Sequence, residues 1–182
     1  MITGAVHGWT EAFDARAEAW LEQLRGSRVA DTIFPIASEL GDFSLIWQLI
    51  NAAHGTTSER QADASLVFAG LLGLESLVVN QGLKRVFRRA RPTVAGDPRY
   101  PVRKPSTSSF PSGHSTAAFF AATIFIARDG KRSAPLWLGL AGVIATSRAY
   151  VRIHHPSDVV VGAAVGALLG RGALTILRQL PR

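Results

Sequence analysis

The sequence predicts an all-α polytopic membrane bundle of about five spans, preceded by an amphipathic helix at the N-terminus. Three observations carry this. Apolar residues make up 47% of 182 residues, enough for an extensive core. Charges are missing from whole segments: 62–83 hold only Asp63 and Glu75, while 105–127, 133–147 and 159–170 hold no Lys, Arg, Asp or Glu. A soluble helix normally shows a charged stripe along one side, and these segments lack one. Finally, several of them approach the roughly 17–25 apolar residues that a bilayer crossing requires. A soluble bundle with buried helices is the competing reading. The length fits a single domain over 1–182, with an interfacial region at 1–39 and a core at 60–178.

Taken in order, residues 5–26 space Trp9, Phe13, Trp20 and Leu24 at near-helical intervals, with Glu11, Asp14, Glu18, Glu22 and Arg25 between them. Such a helix suits a membrane interface or the side of a bundle. No basic region followed by an apolar core stands at the N-terminus, so a secretory signal is not expected. Residues 28–54 contain Pro35 and read as a broken element with its span near 40–55. The polar stretch "TTSERQ" at 56–61 is a loop, and further spans are predicted at 62–83, 113–128, 134–150 and 158–178. A long Pro, Ser and Thr-rich loop covers 92–111, and loops of that length are usually functional or disordered. "DGKRS" at 129–133 is a tight turn, and Gly162, Gly166 and Gly170 sit four apart on the last helix, where a neighbouring backbone can come close.

The net charge of +7 implies an anionic partner, and the lack of cysteine excludes disulfides and thiolate metal sites. Three clusters supply candidate anion ligands. In "LKRVFRRARP", Lys84 and Arg91 are seven residues apart, two turns on one helical stripe, if Pro92 ends the helix. In "PSGH", Ser112 can cap the helix that follows, Gly113 lets a ligand reach the backbone, and His114 stands beside a helix N-terminus suited to phosphate. In "TSRAYVRIHHPSD", Arg148 ends one helix, and Asp158 is close enough to bond the ring of His154, which would fix its tautomer and strengthen the opposite nitrogen as base or nucleophile. The predicted topology brings all three clusters to one end of the bundle. A phosphate ringed by cations, with two histidines and a carboxylate, is a phosphoryl-transfer site in outline.

Together these clusters resemble the three-part signature of the type 2 phosphatidic acid phosphatase (PAP2) superfamily. Its pattern is matched by Lys84…Arg91-Pro92, by Pro111-Ser112-Gly113-His114 and by Ser147-Arg148…His154…Asp158. His155 lies beside His154, and the spacing to Arg148 and Asp158 selects His154. The resemblance implies a membrane helix bundle of the PAP2 and haloperoxidase type, acting as a lipid phosphatase with a phosphohistidine intermediate and neither metal nor cofactor. In that scheme His154 attacks phosphorus and Asp158 orients it. Lys84, Arg91, Ser112, Gly113 and Arg148 hold the phosphoryl oxygens, and His114 serves as acid and then base. A bell-shaped pH dependence is expected.

The expected partners are a bilayer and a lipid phosphate, with no nucleic acid, and self-association stays open. Short actinobacterial members look similar, some thought to act on decaprenylphosphoryl phosphoribose; Arg99, Arg103 and Lys104 are candidate head-group ligands. The expected location is a bacterial inner membrane. With five spans, thirteen of the twenty Lys and Arg fall on the active-site side, which favours the cytoplasm by the positive-inside rule, but several of these cations bind substrate, so the face stays open. A vanadium haloperoxidase-like enzyme and a non-catalytic scaffold are the alternatives. The first resembles much larger soluble proteins; the second would tolerate loss of Lys84, Arg148 or His154, all of which are present.

Overall fold

A computed structural model describes residues 2–93, 97–103 and 107–179, with side chains over 8–93, 97–103 and 107–178. The elements are α1 (Ile2–Leu24), α2 (Ala30–Leu40), a 3₁₀ turn (Asp42–Ser44), α3 (Leu45–Gly55), α4 (Glu59–Leu77), a π-helical segment (Val78–Leu83) leading into α5 (Lys84–Val86), α6 (Gly113–Asp129), a second 3₁₀ turn (Lys131–Ser133), α7 (Ala134–Tyr150) and α8 (Pro156–Gln179). There is no strand among the described residues.

The core is organised around α6. Ala117, Ala118, Ala121 and Ala122 are buried, and small side chains let the neighbouring helices close in. α8 is the most extensive of these neighbours and α7 the next. The glycine ridge of α8 is the closest seam: a Cβ on Gly166 would lie 2.1 Å from the Thr116 carbonyl oxygen, and one on Gly162 2.7 Å from that of Ser112. Aromatic stacking completes the far end, with Phe68 and Phe125 at 4.8 Å and Trp137 at 5.0 Å from Phe125.

Two helices are long and apolar enough to cross a membrane, Glu59–Val86 and Pro156–Arg178, and the α2–α3 pair, bent by 68°, is a third if taken as one span. About five spans are expected from the sequence, and two or three of these segments meet the requirement of length and composition by themselves. α6 and α7 have 17 residues each, the lower end of the roughly 17–25 residues of a bilayer crossing. α6 is also enclosed by its neighbours and needs no lipid-facing surface of its own. Leu66, Leu74, Leu136, Leu138, Val160, Leu168 and Ile176 remain exposed on α4, α7 and α8, an outer apolar belt.

Three further features bear on the sequence reading. The broken element expected over 28–54 is found: Pro35 lies inside α2, and the break falls at Gly41–Ser44, where Phe43 and Ser44 take left-handed conformations (φ 53° and 57°) at the start of the span expected near 40–55. A Cβ on Gly41 would sit 2.6 Å from the His114 ring, so a glycine is required where the kink passes α6. The helix before Pro92 ends at Val86, with Phe87 already extended. Its backbone turns to the long loop: the Ser108 hydroxyl donates to the Phe87 carbonyl (2.5 Å), and the Ser109 N–H to that of Arg89 (3.0 Å). Lys84 and Arg91 consequently share no helical stripe.

The third is the orientation of α1, which the sequence leaves open between a membrane interface and the side of the bundle. Trp9 is 79% exposed, and Phe13 and Trp20 also face outward, whereas Asp14, Leu21 and Arg25 are buried. The charged face packs inward because it meets opposite charges there. Arg152 bonds Glu18 and Glu22 at 2.7 Å each, and Arg25 reaches the Tyr150 and Ala149 carbonyls. The aromatic stripe is left for the membrane interface, where tryptophan is favoured.

Candidate active site

Each of the three signature segments contributes from a different local structure. Lys84 is buried at the end of the π-helical segment, and a Cβ on Gly113 would lie 3.3 Å from its Nζ. Ser112 is the N-cap of α6 in an extended conformation, and its hydroxyl accepts from the Ser115 N–H (3.4 Å) and Ser115 hydroxyl (2.9 Å). Its own N–H donates to the Asp158 carbonyl (3.1 Å), which ties the start of α6 to the start of α8. Arg148 is 1% exposed in the last turn of α7. One of its amines donates to the Ser38 carbonyl and makes a close hydrogen bond to the Ser38 hydroxyl.

His154 follows a tight turn at Arg152 (φ 57°), and both its N–H and that of Ile153 return to the Arg148 carbonyl at 3.0 and 3.1 Å. The ring is 2% exposed. Its Nε2 is 3.2 Å from Nη1 of Arg91 and its Nδ1 is 3.4 Å from the Ser109 hydroxyl. A guanidinium only donates, so Nε2 is the acceptor and Nδ1 carries the proton. Burial, opposed by Asp158 and reinforced by Arg91, Arg148 and Lys84, pushes the His154 pKa down to about 3, so the ring is neutral and its Nε2 lone pair is the one that Arg91 meets. Burial also draws the Arg91 pKa below its ordinary value.

The direct His154–Asp158 bond expected from the sequence is longer than a hydrogen bond, at 3.7 Å. Ser109 stands between the two, donating to Asp158 Oδ2 at 2.5 Å. The same oxygen accepts the His155 N–H at 2.9 Å, and Oδ1 accepts from Arg89 Nη1 at 2.6 Å. Arg89 also donates to Asp14 of α1 at 2.7 Å, and Asp14 in turn accepts from the Ser157 N–H and hydroxyl. Burial works against the charge of Arg89, but the bonds to Asp14 and Asp158 outweigh it and hold its pKa above the ordinary value.

On the other side of the site, Nε2 of His114 is 2.8 Å from Oδ1 of Asp42 in the α2–α3 kink. Ser109, Asp42, Arg89 and Asp14 were not singled out as site residues from the sequence. Arg89 is one of three additional arginines in its cluster, Ser109 stands two residues ahead of the PSGH motif, and Asp42 and Asp14 lie in stretches with no motif. His155 turns away from the site, its Nε2 3.3 Å from the Ala90 carbonyl, and lines a separate outer cavity with Asp14, Glu18 and Arg152. Of the proposed head-group ligands, Arg103 lines the cavity beside His114 and stacks over Phe43 at 4.5 Å. Arg99 is committed to Asp97 (2.7 Å) and Glu22 (3.3 Å). Lys104 lies outside the described residues.

The site therefore defines a phosphoryl-transfer protein: a neutral histidine with cations around it, backed by a carboxylate, and a second histidine across a cavity. Residues 64–182 match the PAP2 superfamily model, and the chain belongs to that superfamily. It is 33% identical over 136 residues to a Mycobacterium tuberculosis protein named decaprenylphosphoryl-5-phosphoribose phosphatase, covering 73% of this chain and 72% of the relative. It is 29% identical over 143 residues to the undecaprenyl-diphosphatase BcrC of Bacillus subtilis, covering 78% and 72%. The crystal structure of a transmembrane PAP2 type phosphatidylglycerolphosphate phosphatase from Bacillus subtilis superposes with a TM-score of 0.73 at 25% identity, over 98% of this chain and 89% of that one. With its apolar helices, the chain is an integral membrane protein.

Proposed function

We propose that this protein removes a phosphoryl group from a membrane lipid through a phosphohistidine on His154, with no metal required. One observation carries the reading. Nε of Arg91 and both Nε and Nη2 of Arg148 are buried with no hydrogen-bond partner, and both guanidiniums act electrostatically on His154. Buried donors without acceptors are costly, and the oxygens of a phosphoryl group would satisfy them. Lys84 adds a third cation, so the charge that builds on the equatorial oxygens is met by fixed positive groups.

His154 Nε2 attacks phosphorus in line, forming a P–N bond as the P–O bond to the lipid breaks. Arg91, which lies on Nε2 in this structure, passes to a phosphoryl oxygen as substrate enters. Lys84, Arg148, the Ser112 hydroxyl and the Gly113 N–H hold the remaining oxygens. Asp158 stabilises the positive ring, relayed by Ser109. His114 gives its proton to the leaving oxygen, then takes one from the water that cleaves the P–N bond and releases phosphate. Burial and the Arg148 charge draw the His114 pKa down to about 4, and the bond to Asp42 opposes them and favours the protonated acid. The core of this chemistry is residues 60–178, with α1 supporting it.

The relatives suggest the substrate is a polyprenyl or glycerolipid phosphate in a bacterial inner membrane, decaprenylphosphoryl phosphoribose being a specific candidate. The test is phosphate release from a panel of lipid phosphates in proteoliposomes containing EDTA, wild type against His154→Ala. Release that persists in EDTA and is lost in the variant is the expected result. Loss on chelation would overturn the metal-free mechanism, and full activity in the variant would overturn the nucleophile.

A further inference from the structure

α4 buries a carboxylate that this chemistry does not use. Glu75 shares the inward face of the helix with Ser65, Phe68 and Leu72 and is 4% exposed. Thr116 of α6 lies beside the carboxylate but donates its hydroxyl to the Gly113 carbonyl (2.8 Å), and Oε1 has no hydrogen-bond partner. An ionisable side chain inside an apolar span is expensive, and when it is retained it marks a functional site by default. A leucine would serve the packing better, so the explanation lies on the ligand side.

The surroundings of Glu75 supply it. Glu75 lines a cavity of about 390 Å³ together with Asp42, Lys84, Arg103, Gly113 and His114. That volume lies within the roughly 300–1,000 Å³ typical of small-molecule sites. His154 is not part of this lining, whereas His114 is. In an in-line displacement the nucleophile and leaving group stand on opposite sides of phosphorus. The leaving group therefore occupies the His114 side, and its chemistry can be read from the cavity walls.

Those walls hold two carboxylates, Asp42 and Glu75, with the cations Lys84 and Arg103; Asp42 is bonded to His114, whereas Glu75 Oε1 has no hydrogen-bond partner where the leaving group sits. The leaving group of a lipid diphosphate is itself a phosphate, whose anionic oxygens would face both carboxylates in a site that screens charge poorly. The leaving group of a phosphate carried on a sugar or polyol brings hydroxyl donors, which are what an unpartnered carboxylate oxygen accepts.

We propose that Glu75 is a specificity-determining residue that accepts hydrogen bonds from hydroxyls of the leaving head group, so that the site takes a lipid phosphomonoester borne on a sugar or polyol in preference to a lipid diphosphate. The inference rests on the phosphatase reading above. It is tested with the full chain in proteoliposomes, using a polyprenyl-phosphoryl sugar phosphate and a polyprenyl diphosphate of the same chain length. kcat/KM is measured on both for wild type, Glu75→Gln and Glu75→Leu, with monodisperse elution in detergent as the folding check.

Wild type is expected to prefer the sugar phosphate. Loss of bonds to a charged acceptor should lower kcat/KM on that substrate by about ten- to a hundredfold, more in Glu75→Leu than in Glu75→Gln. Activity on the diphosphate should rise in both variants, because the repelling charge is gone. Equal losses on both substrates, an unchanged ratio, or a wild-type preference for the diphosphate would each overturn the assignment of Glu75. No release by wild type from either substrate, or full activity in His154→Ala, would overturn the phosphatase reading itself and the inference with it.

Discussion

Arg89 offers the sharpest test of how the nucleophile is held. It is the only side chain bonded to Asp158 Oδ1, at 2.6 Å, among the described residues, and it reaches Asp14 of α1 at 2.7 Å. Asp158 is fully buried, whereas Arg89 is 28% exposed. Removing Arg89 leaves Oδ1 without a partner, while Oδ2 keeps Ser109 and the His155 N–H. The lost charge-assisted bond is worth about 1.5–3 kcal/mol, and the more exposed Asp14 leg adds at most about 1 kcal/mol. Arg89→Leu should therefore lower stability by about 2–4 kcal/mol, a fall in Tm of about 4–16 °C for a chain of this size.

The catalytic effect has a different origin. With one oxygen unheld, Asp158 protonates and reorients more readily, and it supports the positive His154 ring less well. kcat should drop about ten- to a hundredfold in Arg89→Leu, equivalent to about 1.4–2.8 kcal/mol of transition-state stabilisation. Arg89→Lys should recover only part of this, because a point charge cannot fork to both Asp14 and Asp158. The assay is single-turnover phosphate release from a lipid phosphate in proteoliposomes, read beside thermal unfolding in detergent. A variant with reduced Tm but wild-type kcat would make Arg89 a structural tie alone and refute the reasoning.

Three more outcomes follow from the geometry. Gly166→Ala places a Cβ 2.1 Å from the Thr116 carbonyl oxygen and should cost about 1–3 kcal/mol or more through overpacking of α8 on α6. Gly172→Ala meets nothing within 4 Å and should be neutral or stabilising by up to about 1 kcal/mol; equal unfolding temperatures for the two would contradict the seam. Asp42→Asn removes the charge beside His114 while keeping its size, and kcat should fall by about ten- to a hundredfold; unchanged kcat would show that Asp42 does not assist the acid. Because the His154 pKa is pushed down to about 3, its imidazole NMR signals should stay constant between pH 8 and 5, and a titration near 6.5 would disprove the burial. The unfolded chain takes up this proton near 6.5 and the folded one only near 3, so the stability His154 allows is present above about pH 7 and declines as pH falls toward 3.

The sequence by itself determined the helical class and the signature residues that the fold draws together. These follow from local signals: charge-free segments long enough for helices, a Ser112 cap just ahead of Gly113, and a fixed spacing from Arg148 through His154 to Asp158. Such features depend on residues a few positions apart, and the structure keeps them. The tertiary structure alone decided what supports those residues. Asp42 meets His114 across 72 positions, Arg89 meets Asp14 across 75, and Ser109 meets Asp158 across 49. Pairs so distant leave no periodicity to read. The same limit explains why α1 turns its charged face inward: periodicity separates two faces of a helix, but which one is buried depends on the arginines that Asp14, Glu18 and Glu22 find on other elements. A break ahead of a span near 40–55 is expected from the sequence, but its place at Gly41 in the α2–α3 pair follows from His114 of another helix passing there.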